Sequence, residues 1–136
     1  MKNPMDIYWN QRIQTSKGAL EQNHFEVYVT AGIDRVKPLI LNEIIPELKI
    51  ESVSWGDSLS MLDSGIIQAV EAMPGIRLIK TFEDGVSREN ILERRRQALL
   101  VDLFFTGTNA VTESGKLVNL DMVGNRIAGL TFGPRY

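Results

Sequence analysis

Short apolar runs alternate with helix-like segments along this 136-residue chain, and no other feature constrains its fold as strongly. Residues 101–105 are almost continuously apolar, which is typical of a parallel strand covered by helices on both faces. Further strands are predicted at 24–29, 51–55, 76–79, 116–121 and 127–132, and helices at 6–21, 34–47, 59–62, 66–73 and 87–99. Strands that alternate with helices predict an α/β domain.

Composition excludes several classes of function. The chain has no cysteine and a single histidine, His24, so it cannot form disulfides, a thiolate nucleophile, the usual zinc sites or a cysteine-ligated iron–sulfur cluster. No metal site is predicted, although a cation held by oxygen ligands stays open. The formal net charge of −2 gives no basic surface for nucleic acid or for an anionic membrane. Without a signal sequence or an apolar stretch of membrane-spanning length, we expect one soluble, cytoplasmic domain over residues 1–136.

The loop Thr106-Gly107-Thr108-Asn109 comes directly after the predicted buried strand. Ligands of open parallel sheets bind at the carboxyl ends of the strands, because the loops diverge there around a crevice. Gly107 lets the backbone turn closely, and the hydroxyls and carboxamide can present donors to an anionic or carbonyl ligand. The alternative is that these side chains satisfy the backbone of an exposed loop. Both readings stay open from the sequence.

Carboxylates and carboxamides continue into the next predicted strand. With a period of two, Asn119 and Asp121 project from one face, and together with Glu113 they would form a wall able to hold hydroxyls or to accept a proton. Gly124-Asn125-Arg126 then adds a turn, a carboxamide and a guanidinium that can clamp a phosphate or carboxylate. The alternatives are a solvated strand face and a structural ion pair.

Gly56-Asp57-Ser58 forms a second candidate, where a predicted strand runs into a helix. Backbone N–H groups at such a turn suit an anion, and Ser58 can add its hydroxyl. Capping of the helix by Ser58 or Asp57 is the favoured role from sequence alone. The basic run Arg94-Arg95-Arg96 is accompanied by glutamates and is interpreted as a solvated, ion-paired helix face.

A set of motifs resembles the LUD (lactate utilization) domain family and covers nearly the whole chain. The most specific part extends from Asp102 to Arg126, whereas the N-terminal half matches mainly in pattern. The matching segments are Gly56-Asp57-Ser58, ERRRQALLVDLFFTGTNAVTE (93–113), Gly115, LVNLD (117–121), Gly124-Asn125-Arg126 and Phe132-Gly133-Pro134.

The resemblance implies a fold similar to the NagB/RpiA/CoA-transferase group, a three-layer α/β/α sandwich with a mostly parallel sheet. Members of that group handle sugar phosphates, CoA esters and folates. The family is linked to bacterial oxidation of L-lactate to pyruvate, where LUD proteins act alongside iron–sulfur partners. Because this chain has no cysteine, the resemblance implies that any cluster belongs to another subunit, and no cofactor of the chain itself is identified.

The chain also departs from the family in length. Family members usually continue past the Gly-Pro with a further strand and helix, whereas this sequence stops at Arg135-Tyr136. A sheet without its last strand exposes an edge, so we expect a truncated domain or one completed by association, including a homo-oligomer.

Three functions follow from these expectations. The first is a LUD subunit of lactate or organic-acid metabolism that binds a small anionic metabolite, with a ligand site at Gly56, Asp57, Ser58, Thr106, Gly107, Thr108, Asn109, Asn119, Gly124, Asn125 and Arg126. The second is an isomerase or transferase for a phosphorylated or CoA-linked substrate, with Asp121 or Glu113 as general base. The third is a non-catalytic assembly or regulatory subunit.

Overall fold

The computed structural model describes residues 3–136 and contains two compact units. Unit 1 combines the chain up to Thr30 with Thr108–Leu120, and unit 2 combines Ala31–Gly107 with Asp121–Tyr136. The elements are α1 (Pro4–Gln22), α2 (Val36–Leu39), β1 (Ser52–Trp55), α3 (Leu59–Ser64), α4 (Ile66–Glu71), β2 (Arg77–Ile79), α5 (Arg88–Gln97), β3 (Leu103–Phe105), β4 (Ala110–Val111), β5 (Leu117–Val118) and α6 (Asn125–Thr131). Short 3-10 and π-helical turns extend α2 on both sides, over residues 33–47, and 3-10 turn Ala98–Leu100 follows α5.

The sheet of unit 2 is parallel and has the order β2-β1-β3. Val53 pairs with Leu78 on one side and with Leu103 on the other. Residues of one face pack into a core with α3, α4 and the turn after α2, formed by Ile45, Val53, Trp55, Met61, Ile66, Ile67, Val70 and Leu103. A second cluster, with Ile79, Ala98, Val101 and Phe104, places α5 and its 3-10 turn on the opposite face. Helices therefore cover both faces, which confirms the predicted three-layer α/β/α arrangement.

Hydrogen bonds of polar side chains connect the strands of this sheet. The buried Ser54 hydroxyl donates to the Ile79 carbonyl at 2.7 Å, and the buried Thr81 hydroxyl donates to the Trp55 carbonyl at 2.6 Å. At the amino edge, the Asp102 carboxylate accepts from the backbone N–H groups of Glu51 and Ser52 at 2.9 and 3.0 Å. These hydrogen bonds fix the register of β1, the central strand. Each joins β1, or the residue next to it, to β2 or β3 or to a residue that flanks one of them.

In unit 1, α1 is the long helix predicted from the sequence. Asn3 caps it by accepting from the N–H of Met5 at 3.1 Å, and Pro4 occupies the first turn, where its missing N–H costs nothing. The helix ends in a Schellman motif: His24 has a φ of 67° and donates to Glu21, while Phe25 donates to Leu20. The strand predicted at 24–29 is therefore wrong, because its first residues terminate the helix instead.

The antiparallel pair β4–β5 also belongs to unit 1. Gly115 lies in the connecting turn with a φ of 74°, and a Cβ at this glycine would stand 2.6 Å from the carbonyl carbon of Ala19 in α1. The Asn23 carboxamide donates to the Gly115 carbonyl at 3.0 Å. Only a glycine satisfies both the backbone angle and this close approach to α1.

The C-terminal elements differ from the prediction in two ways. Of the strand predicted at 116–121, only Leu117–Val118 pairs with a neighbour. The strand predicted at 127–132 is wrong, because Asn125–Thr131 forms helix α6. Its start is set by the Asp121 carboxylate, which accepts from the N–H groups of Arg126 and Ile127 at 2.8 and 3.2 Å. None of the helices in residues 3–136 has the length and apolar character needed to cross a lipid bilayer.

Candidate ligand-binding site

The carboxyl ends of β1 and β3 lie side by side. Trp55 pairs with Phe105 in the parallel register, and the N–H of Gly56 donates to the Phe105 carbonyl at 2.8 Å. The turn Gly56-Asp57-Ser58 and the pair Thr106-Gly107 therefore leave the sheet at the same edge. This is the edge at which parallel α/β sheets bind their ligands.

Two glycines allow close packing at this edge. A Cβ on Gly56 would stand 2.6 Å from Cγ of Arg126 and 3.1 Å from the Thr106 hydroxyl oxygen. A Cβ on Gly107 would stand 2.7 Å from the Ser58 hydroxyl oxygen. Gly56, Ser58, Thr106, Gly107 and Arg126 thus form one contiguous group, which we call the cradle. It brings together five of the residues predicted for ligand binding.

Ser58 has a capping role in the cradle, as its sequence position favours. Its backbone is extended, with φ −161° and ψ 117°, and its hydroxyl accepts from the N–H of Met61 at 3.4 Å at the start of α3. Asp57 is exposed beside it. The hydrogen bonds within residues 3–136 do not use the backbone N–H groups of Asp57, Ser58 or Gly107. These donors therefore stand ready for water or for an anionic ligand.

Asp121 and Arg126 form a pair next to the cradle. The Arg126 Nε lies 3.8 Å from Oδ1 of Asp121, and the two side chains are only 16% and 7% exposed, respectively. Burial alone would raise the pKa of Asp121. Hydrogen bonds from the backbone N–H groups of Ile127, Gly124, Arg126 and Val123 lower it by more, so the pKa lies below its usual value. A carboxylate stabilised in this way is a poor proton acceptor.

The turn around Asp121 also explains two other predicted ligand residues. Gly124 has a φ of 92° and precedes the first residue of α6, Asn125. The Asp121 carboxylate, which this turn surrounds, therefore sets the positions of Gly124 and Asn125. Sequence reasoning missed this capping role, although an aspartate three residues before a glycine and a helix start is a usable signal.

The remaining predicted ligand residues belong to unit 1 and engage one another in its hairpin. The Thr108 hydroxyl donates to the Asn119 carboxamide oxygen at 3.0 Å, and the Asn109 carboxamide oxygen accepts from the N–H of Leu120 at 2.9 Å. Glu113 forms an ion pair with Arg12 of α1. Of the three residues expected to form a wall, Glu113 and Asn119 belong to unit 1 and Asp121 belongs to unit 2.

A separate cavity of about 340 Å³ lies along β2 and α5, with Lys80, Glu83, Arg94 and Gln97 among its lining. Its cations already face carboxylates: Lys80 Nζ lies 2.8 Å from Glu71, and Arg94 pairs with Glu83. Both cations of this cavity are therefore paired with carboxylates. In the basic run, Arg94 and Arg96 form the expected ion pairs, whereas Arg95 stacks on the Phe82 ring at 5.1 Å and its buried Nε has no hydrogen-bond partner within residues 3–136.

Within residues 3–136, no three histidine, cysteine, aspartate or glutamate side chains are grouped to hold a metal ion. The cradle itself offers hydroxyls, backbone N–H groups and one guanidinium. These groups are donors, and a donor set of this kind suits an anion.

Comparison with known proteins identifies the family of the chain. The family model of the LUD domain matches residues 13–136. The chain belongs to the LUD domain family. The match includes the cradle, Asp121, all of unit 2 and unit 1 from Ile13 onward, and the family as a whole is associated with lactate utilization. No curated protein and no solved structure matches the chain.

Proposed function

We propose that this LUD domain protein binds a small anionic metabolite in the cradle. The observation that carries the proposal is the position of Arg126, whose Cγ and Cδ lie against Gly56, the residue that follows β1. The Arg126 guanidinium and the Ser58 hydroxyl can donate to a carboxylate or a phosphate, whereas the Thr106 hydroxyl donates to the Gly107 carbonyl at 3.3 Å.

The electrostatic setting supports an anion of modest size. Arg126 is 16% exposed, so its charge is screened less by water than that of a surface arginine. Thr106 and Gly107 are half-buried, which gives a ligand a partly desolvated place to bind. Hydrogen bonds to charged groups are strongest in such surroundings.

The wider role follows from the family. We propose that the bound metabolite belongs to lactate or related organic-acid metabolism, and that a redox subunit with an iron–sulfur cluster acts together with this chain. Both parts rest on the family's association with lactate utilization, and a cysteine-ligated cluster would have to lie outside these 136 residues, which contain no cysteine.

The alternative of an isomerase or transferase that acts alone has less support. It needs a general base, and both predicted bases are engaged: Asp121 by the turn before α6, and Glu113 by Arg12. We therefore favour a binding subunit. Turnover of a sugar phosphate or CoA ester by the isolated chain would reverse this preference.

A thermal-shift screen of the full chain tests ligand binding. The compounds are L-lactate, pyruvate, inorganic phosphate, a set of sugar phosphates and CoA. A ligand at about a hundred times its dissociation constant should stabilise the protein by roughly 2.7 kcal/mol, a rise in melting temperature of several degrees. If no compound raises the melting temperature of a well-folded sample, the lone chain does not bind this class of ligand.

Arg126→Gln should sharply reduce the shift, because it removes the cation of the cradle. Arg96→Gln is the matched control, since Arg96 is 73% exposed and pairs with Glu93 on α5. Equal shifts for both variants would place the ligand elsewhere.

The metabolic role is tested by deletion of the gene, which should impair growth on L-lactate while growth on glucose persists. Normal growth on L-lactate would contradict that role.

A further inference from the structure

We propose that Asp121 is a positioning residue, whose carboxylate holds the Arg126 guanidinium in the cradle while its backbone contacts fix the turn that carries Arg126. The proposal rests on the proposed function, since it concerns the same site. It gives Asp121 a role different from that of a general base.

The first part of the argument concerns the turn. One carboxylate oxygen of Asp121, Oδ2, accepts from the N–H groups of Arg126 and Ile127, at 2.8 and 3.2 Å. The other oxygen, Oδ1, accepts from Val123 at 3.4 Å. The carboxylate thus fixes the backbone of the residue whose side chain enters the cradle.

The second part concerns charge. The Oδ1 atom that faces Val123 also lies 3.8 Å from Nε of Arg126. The Asp121 side chain is 7% exposed, and a carboxylate buried to this degree needs a cation or several donors nearby. Asp121 has both. Removal of its charge should therefore make the Arg126 guanidinium more mobile, while an oxygen that accepts from the N–H groups of the turn is kept.

The third part concerns the other side of Arg126. Gly56 leaves just enough space for the aliphatic stem, as the 2.6 Å approach of its virtual Cβ to Cγ shows. Arg126 is therefore held between a carboxylate and a backbone glycine. A cation restrained on two sides loses little conformational entropy when an anion binds.

Asp121→Asn tests the proposal, because asparagine keeps an oxygen acceptor for the turn and loses the charge. Binding of inorganic phosphate, L-lactate and pyruvate is measured by calorimetry for wild type, Asp121→Asn, Arg126→Gln and the double variant. We expect Asp121→Asn to weaken binding about tenfold and to add nothing in the Arg126→Gln background. Additive losses in the double variant would show that Asp121 acts independently of Arg126.

A second readout does not depend on any ligand. The Nε–H signal of Arg126 in a ¹H–¹⁵N spectrum, assigned by its loss in Arg126→Gln, should shift and broaden in Asp121→Asn. Asp102→Asn is the matched control, since Asp102 also accepts backbone N–H groups and pairs with an arginine, but at the amino edge of the sheet. It should lower stability and leave the Arg126 signal unchanged.

The two readouts separate the two hypotheses. A response of the Arg126 signal without anion binding to wild type would retain the positioning role and reject the proposed function. Tight anion binding in both wild type and Asp121→Asn, with an unchanged Arg126 signal, would reject the positioning role and retain the proposed function. An equal response of the Arg126 signal to Asp102→Asn would also reject the positioning role, because the effect would then not be specific to Asp121.

Discussion

The side chain of Arg126 occupies the space that a side chain on Gly56 would need, with Cγ at 2.6 Å from the position of a Cβ on that glycine. We predict that Gly56→Ala displaces Arg126 and weakens anion binding at least about tenfold. The same overpacking should lower the free energy of unfolding by about 1–3 kcal/mol. Calorimetric titration and urea unfolding measure the two effects.

Gly18→Ala is the control for Gly56→Ala. Among residues 3–136, and apart from its chain neighbours and the backbone of its own helix α1, no atom lies within 4 Å of a Cβ at Gly18. Alanine should therefore raise the free energy of unfolding by up to about 1 kcal/mol, because glycine is the poorer helix former, and anion binding should not change. Unimpaired binding in Gly56→Ala would show that Arg126 is not needed where the structure places it.

Ser58→Ala should lose both stability and affinity. Ser58 caps α3 through Met61, and removal of an N-cap costs about 1 kcal/mol. Its hydroxyl also belongs to the cradle, so affinity for the anion should fall as well. Ser87→Ala is the comparison, since Ser87 caps α5 through the N–H of Asn90 at 3.3 Å. We expect a similar loss of stability there and no loss of affinity, and equal affinities for both variants would limit Ser58 to capping.

Asp102 should make stability depend on pH. The N–H of Glu51 and the hydroxyl of Ser52, in that order, hold the pKa of Asp102 below its usual value. Its stabilisation is therefore fully present above the unfolded pKa of about 3.9, and it is lost as the pH falls through the lower folded pKa. Urea unfolding between about pH 6 and pH 2.5 should show a smaller loss in Asp102→Asn than in wild type. Equal pH profiles would contradict the assignment, because Asp121 is present in both proteins.

His24→Gly should stabilise the protein. His24 closes the Schellman motif of α1 with a φ of 67°, a region that a residue with a Cβ enters at a cost of roughly 1 kcal/mol or more. Glycine removes that strain but adds freedom to the unfolded chain, so the net gain should be up to about 1 kcal/mol. Thermal unfolding measures it, and a drop in melting temperature would show that the imidazole makes a compensating contact.

The sequence predicted the central sheet well, because its signals are local. The run 101–105 gave β3 (Leu103–Phe105), and the serine at 87 gave the start of α5, since apolar continuity and an N-cap need no distant partner. The cradle was predicted for a similar reason. In a parallel sheet, the residues that follow two paired strands must emerge at the same edge.

The errors arose where hydrogen bonds to the backbone of a turn decide where a helix ends or begins. Residues 24–29 alternate like a strand, yet the backbone of His24 and Phe25 closes a helix, which periodicity cannot show. Residues 127–132 are also apolar enough for a strand, but the Asp121 carboxylate collects N–H groups from the next turn and starts α6 instead. For the two predicted general bases, Asp121 and Glu113, the contacts favour structural roles.

Unit 1 is assembled from two stretches of chain that are far apart in sequence: Asn23 and Gly115, which share a hydrogen bond, are 92 positions apart. During synthesis the N-terminal end emerges first, so α1 leaves the ribosome long before the hairpin that it packs against. Until translation passes Gly115, Ala19 and Asn23 of this N-terminal segment lack the turn that they contact in the folded unit, so unit 1 is completed only after most of the chain has been synthesised.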